Sequence, residues 1–262
     1  GMKTADTWQQ FNDEHAHSLA LSQALQTSLQ DLLARQERVV LALSGGQSPR
    51  AMLALLSQAD LDWSRVTVQW VDERLLTRYH PDSNSELIES VLLQNQAAQA
   101  QWHNFLPLPQ GEARVLDGAE QQTVLQAALA AYQTPDIVVL GMGLDGHTAS
   151  LFADAPQFAA AMDRHQAQPL MVLEPPSAPY ARISMTLAAI LQAQTLYIAA
   201  YGAQKQALLQ HLRRLAADDD HVLVQPRVGA QLLRQQDAAL AVRLGHLHKR
   251  HVKREIRALK QF

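Results

Sequence analysis

The chain has 262 residues, 22 Lys and Arg against 25 Asp and Glu for a net charge of −3, 47% hydrophobic residues and no cysteine. That length buries about three-quarters of the unfolded surface without cross-links, and the composition excludes a wholly disordered chain. The lack of cysteine excludes disulfides, a thiolate nucleophile and a Cys-based zinc site, and no apolar run nears the roughly 20 residues of a membrane span.

Gly1 ahead of Met2 reads as a remnant of tag removal and is set aside. The chain is expected to form a single soluble, cytoplasmic domain spanning 1–262. The first helical pattern runs over about residues 7–34, with Phe11, Leu19, Leu25, Leu29 and Leu32 on a stripe. Short β-branched apolar runs follow at 39–43, 66–70, 137–140, 170–173 and 196–200. Several are nearly continuous in apolar character, which suits parallel strands covered on both faces. Helical patterns fall between them at 49–57, 85–93, 112–132 and 203–216. Strand–helix alternation predicts a layered α/β fold.

Ligands of open α/β sheets bind outside the carboxyl ends of the strands, so three loops carry the functional reading. The first is Ser44-Gly45-Gly46-Gln47-Ser48-Pro49. Its glycines admit close backbone approach, Pro49 suits a first helical position, and its N–H groups and hydroxyls suit a phosphate. The second is Asp72-Glu73-Arg74, continuing through His80-Pro81-Asp82-Ser83-Asn84. Its charges can orient a polar substrate, but its spacing favours a surface ion-pair cluster with Ser83 or Asn84 capping the next helix.

The third loop is Gly141-Met142-Gly143-Leu144-Asp145-Gly146-His147-Thr148-Ala149-Ser150. Its G-x-G-x-x-G spacing matches a dinucleotide fingerprint, yet Pro156 leaves no room for the full helix which that motif requires. The loop instead offers His147, an imidazole able to take a proton from water near neutrality, with Asp145 placed to fix its tautomer. The other histidines read as structural or solvated, His15 and His17 on the first helix and His246, His248 and His251 near the C-terminus. Arg182 and Lys205 supply local positive charge for a phosphate. Residues 241–262 carry seven Lys/Arg against one acid, leaving −9 on the rest. The stretch 242–262 reads as an atypical, solvated basic extension with no interleaved aromatics and no nucleic-acid motif.

In this order, these pieces resemble the 6-phosphogluconolactonase family, within the wider glucosamine-6-phosphate isomerase/deaminase group. The resemblance rests on Ser44–Pro49, Asp72-Glu73-Arg74 with Asp82-Ser83-Asn84, Gly141 through Phe152, Arg182-Ile183-Ser184-Met185-Thr186, and Gly202 with Lys205. It implies a three-layer α/β/α sandwich with a mostly parallel, modified Rossmann-like sheet. It also implies hydrolysis of 6-phospho-D-glucono-1,5-lactone to 6-phospho-D-gluconate in the oxidative branch of the pentose phosphate pathway, without metal or cofactor. By resemblance His147 is the general base for water, oriented by Asp145. Ser44, Gly45, Gly46, Gln47, Ser48, Arg182 and Lys205 hold the 6-phosphate. Gly141 and Gly143 line the substrate, and Asp72 and Arg74 contact the sugar or the developing oxyanion. The expected partner is the sugar phosphate alone, with no nucleic acid and no membrane, and the protein a monomer or weak homodimer.

The sequence departs from the family pattern at Gln47, where serine is usual, at Ala153, where proline is usual, and after about Ala241. Two other readings compete. A glucosamine-6-phosphate deaminase resembles this chain but continues the histidine loop with an Asn-Glu-Pro segment, and Leu151-Phe152-Ala153 supplies no such carboxylate. A non-catalytic sugar-phosphate-binding regulator would need a DNA-reading module, and no helix-turn-helix pattern precedes Val39.

Overall fold

Residues 14–46, 49–143, 147–199 and 230–234 are described by the computed structural model. The apolar runs build a six-stranded sheet from β1 (Val39–Leu43), β2 (Val66–Trp70), β4 (Gln101–Trp102), β5 (Ile137–Leu140), β8 (Thr195–Ala199) and β9 (Ala230–Arg234), in the order β4-β2-β1-β5-β8-β9. All pairings in it are parallel except that of β9 with β8. Every residue of β1 and β5 is buried, which fits strands covered on both faces. The expected α/β class is therefore observed.

Helix α1 (Glu14–Arg35) packs on α2 (Arg50–Leu56), and α2 carries the crossover from β1 to β2. The α1 stripe is Leu21, Leu25, Leu29, Leu32 and Leu33, all buried. Leu19, placed on that stripe by the sequence pattern, is 38% exposed. The four-residue repeat from Leu21 sets the buried face, and Leu19 falls off it. Phe11 and the helical pattern at 203–216 lie outside the described residues.

Three further expectations are corrected. Residues 170–173 form β6 (Leu170–Leu173), which is not in the parallel sheet. It joins β3 (Asp72–Arg74) and β7 (Arg182–Met185) in a separate antiparallel sheet of order β3-β7-β6. A continuous apolar run cannot reveal which sheet it will join, since burial on both sides reads alike in either. The pattern at 85–93 splits into a short α3 (Asn84–Leu87) and a π-helical turn, Ile88–Leu92. The pattern at 112–132 narrows to α4 (Gly118–Ala131). The shorter α5 (Phe158–Ala161) and α6 (Leu187–Ile190) are the remaining α-helices among the described residues. Among the described residues no helix is long and apolar enough to cross a membrane.

Helix α4 starts where it does because Asp117 caps it. The Asp117 carboxylate accepts from Glu120 N at 2.8 Å, and the Glu120 carboxylate accepts from Asp117 N at 3.0 Å. Arg114 also donates to both Glu120 oxygens, at 2.7 and 2.9 Å. That guanidinium, followed by the Asp117 N–H, holds the Glu120 carboxyl down at about 2, against an ordinary 4.5. A lowered folded pKa favours folding above the ordinary value, and the benefit disappears as pH falls from 4.5 towards 2. Acid unfolding of wild type and Glu120→Gln should therefore separate above that window and converge within it. Curves offset equally at all pH values would contradict the linkage.

Strand order also fixes where a ligand can sit. From β1 the chain runs outward through β2 to β4, then returns to β5 on the other side and continues to β8. The β1 and β5 carboxyl ends thus diverge at a topological switch point, where open α/β sheets leave a crevice.

Candidate active site

The crevice is present as a cavity of about 240 Å³. The β1 end contributes Ser44, Gly45 and Gly46, and the β5 end contributes Gly141 and Gly143. His147, Asp72, Arg74 and Arg182 also line it. Those nine residues are all the described members of the site expected from sequence, and the fold brings them together. Gln47, Ser48, Asp145 and Lys205 lie outside the described residues.

The glycine turn has two separate reasons for its composition. Gly46 sits at φ +102°, a left-handed conformation that glycine alone adopts without cost. A Cβ at Gly45 would overlap the side chain of Asn84. The turn is therefore seated directly on Asn84, whose Nδ2 donates to the Asp72 carbonyl at 2.8 Å. Asn84 lines the cavity as well. On sequence it reads as a helix-cap candidate; Ser83 is the actual N-cap.

Asp72-Glu73-Arg74 is a strand, not a surface ion-pair cluster. Glu73 is 0% exposed and has no cation partner among the described residues. Its carboxylate accepts from Arg74 N, Asn84 N, Ser85 N, Ser83 Oγ and Ser85 Oγ, at 2.6–2.9 Å. Burial pushes the Glu73 carboxyl up, and the Ser85 and Asn84 donors oppose that. Alternation along β3 explains the pattern: Glu73 points into the α3 junction while Asp72 and Arg74 point to the cavity.

Asp72 is buried, and its Oδ2 accepts from Ser150 Oγ at 2.6 Å. Ser150 is placed in turn by its N–H, which donates to Ser184 Oγ at 3.2 Å. The other Asp72 oxygen has no hydrogen bond among the described residues. Ala149, next in the cavity wall, holds a left-handed φ of +52°.

Arg74 and Arg182 are register partners across β3 and β7. Like charges directly opposite on antiparallel strands repel, and among the described residues neither has a carboxylate at salt-bridge distance. Arg182 is only 5% exposed; burial first, and then the Arg74 charge, pull its pKa below the ordinary guanidinium value. The Arg74 Nε and the Ser44 Oγ are both buried without a hydrogen-bond partner among the described residues. Buried polar groups in native proteins are ordinarily paired, so two such atoms on residues lining one cavity, with two arginines that have no carboxylate at salt-bridge distance, suit an anionic, oxygen-rich ligand.

His147 comes into this space because Gly143 N donates to its carbonyl at 2.9 Å, closing the loop. Its ring stacks on Phe152, with centroids 4.0 Å apart and planes at 27°. The Arg182 guanidinium lies 5.2 Å from the centroid of the same ring. Phe152 therefore holds both the imidazole and the buried arginine. Among the described residues no group of three or more His, Asp or Glu could hold a metal ion.

Sequence reasoning missed His17, which is 4% exposed and lines the same cavity. Continuing the Leu21, Leu25, Leu29 spacing one turn back reaches it, so the signal was available.

Residues 12–239 match the family described as glucosamine-6-phosphate isomerases/6-phosphogluconolactonase. The chain is 38% identical over 201 residues to a 6-phosphogluconolactonase of Neisseria meningitidis, covering 77% of this chain and 85% of that protein. It is 38% identical over 208 residues to one from Pseudomonas aeruginosa, covering 79% and 83%. Among solved structures, a 6-phosphogluconolactonase from Shewanella baltica aligns with a TM-score of 0.71 at 27% identity, covering 81% of this chain and 88% of that one.

Proposed function

The chain belongs to the glucosamine-6-phosphate isomerase/6-phosphogluconolactonase family, and on that premise we propose that His147 activates the water with which it hydrolyses 6-phospho-D-glucono-1,5-lactone to 6-phospho-D-gluconate. It is a hydrolase of a lactone ester, acting in the pentose phosphate pathway. The observation carrying the site assignment is the convergence of His147 with two arginines that have no carboxylate partner, in one crevice at the switch point.

The imidazole takes a proton as water oxygen attacks the lactone carbonyl carbon. The carbonyl π electrons move to oxygen, giving a tetrahedral oxyanion beside the guanidinium of Arg74. Collapse of that adduct breaks the bond from the carbonyl carbon to the ring oxygen, which takes its proton from the imidazolium. Asp72 accepts from sugar hydroxyls through the oxygen that Ser150 does not occupy. Arg182, the Ser44–Gly46 turn and, from outside the described residues, Ser48 and Lys205 hold the phosphate. Asp145 orients the imidazole, Gln47 acts with the phosphate-holding turn, and Gly141 and Gly143 bound the substrate. The family's deaminase reading is disfavoured by Leu151-Phe152-Ala153 after the histidine loop, where no carboxylate is available for ring chemistry. The protein is taken to act alone in the cytoplasm, as a monomer or weak homodimer in solution.

The test is a coupled assay with freshly made lactone, 6-phosphogluconate dehydrogenase and NADP, corrected for spontaneous opening, with glucosamine-6-phosphate in parallel. Turnover of the amino sugar in place of the lactone would overturn the assignment. In the same assay Arg182→Ala should raise KM by about 10- to 100-fold with a smaller change in kcat, because phosphate contacts bind ground and transition states alike. An unchanged KM would remove Arg182 from the phosphate.

A further inference from the structure

The two cavity arginines are anchored by two loops that meet each other, one holding Pro179 and Tyr180 and the other Asp82. Arg182 donates through Nε and Nη2 to the Pro179 carbonyl, at 3.3 and 3.1 Å. The next residue, Tyr180, donates its hydroxyl to Asp82 Oδ2 at 2.8 Å. Asp82 in turn accepts from Arg74 Nη1 through its backbone carbonyl, at 2.5 Å. Its own N–H donates to His80 Nδ1 at 3.0 Å, and the His80 ring meets the Tyr180 ring edge-on, with centroids 5.6 Å apart. The Tyr180–Asp82 contact thus joins the loop that precedes β7 to the loop that follows β3.

Each of the two linked loops holds a tyrosine in the left-handed region. Tyr180 and Tyr79 both hold a φ of +73°, and tyrosine adopts that conformation only where its surroundings impose it. Such outliers concentrate where geometry serves a site. Tyr180 does not belong to the hydrophobic core cluster, so packing alone does not impose this one. The Asp82 carboxylate holds the phenol above its ordinary pKa, and the hydroxyl remains a donor.

With Nη1 tied to Asp82, the edge of Arg74 left over is that of Nε and Nη2, and Nε is the buried orphan. An arginine edge of two parallel N–H groups fits two oxygens, or one oxyanion, with defined direction. We propose that Tyr180 is a positioning residue for the lactonase reaction: through Asp82 it aims the Nε–Nη2 edge of Arg74 at the oxyanion that develops on the lactone carbonyl. This rests on the reading of Arg74 given above.

A double-mutant cycle tests it. Tyr180→Phe deletes only the hydroxyl and should lower kcat by about 5- to 10-fold, the worth of one net hydrogen bond, with KM changed less than about twofold. In an Arg74→Ala background the same substitution should have almost no further effect, because the two act as one unit. Asp82→Ala should reproduce the Tyr180→Phe loss and not add to it. An undiminished kcat in Tyr180→Phe overturns the proposal, as does an equal loss with and without Arg74, which marks a merely structural role. Retention of full kcat by Arg74→Ala itself would instead overturn the oxyanion reading on which the proposal stands.

Discussion

His147→Ala should lower kcat by about 10²- to 10⁴-fold, the range that a positioned general base contributes, while binding of the phosphorylated product persists. The separation follows from the geometry. The imidazole enters the crevice on its own loop and stacks on Phe152, whereas the phosphate contacts assigned to Arg182 and the Ser44–Gly46 turn come from other strands. Deleting the ring removes the proton acceptor without deleting an anion contact. Steady-state kinetics in the coupled assay, with calorimetric titration of 6-phosphogluconate, measures both halves. A variant that turns over lactone at the wild-type rate would refute the histidine mechanism. Equal loss of product binding would show that the imidazole serves binding instead.

The second large effect is on stability. Glu73→Ala leaves five donors facing a vacated, fully buried space. Each buried donor without a partner costs about 1–3 kcal/mol. Even if water satisfies most of them, a loss of roughly 3 kcal/mol or more is expected, with a fall of about 6–12 °C in Tm for a chain of this size. Activity should fall as well, since the same carboxylate seats Asn84, and Asn84 seats both the Asp72 carbonyl and the glycine turn. Thermal unfolding with activity measured well below Tm distinguishes the two losses. A variant of wild-type Tm would mean that these five hydrogen bonds contribute nothing net. Glu73→Gln should fare better than alanine, because it keeps one acceptor oxygen, yet its NH₂ must then face a hydroxyl or another N–H.

Much of this could be read before any coordinates. The runs at 39–43, 66–70 and 137–140 match β1, β2 and β5 to the residue, because short apolar stretches rich in valine and isoleucine have few alternatives. His147 stood out as an imidazole in a glycine loop behind a buried strand. The glycine turn, Asp72, Arg74 and Arg182 were also in view, although the charged triplet looked like a surface feature. Its burial could not be foreseen, since three consecutive charged residues are ordinarily solvated. Only the donors gathered from residues 83–85 make a buried Glu73 tolerable, and that meeting is long-range.

Sequence by itself determined which residue types stand at the strand ends, and therefore the chemistry on offer: one imidazole, two arginines, a glycine turn and an acid. It did so because these identities and their offsets from the apolar runs are local facts. The tertiary structure alone decided that β6 leaves the parallel sheet to pair with β7, that Arg74 and Arg182 stand opposite one another, and that His17 and Asn84 share the crevice. Pairing and register of strands far apart in the chain depend on how whole faces pack, and no window of neighbouring residues contains that information.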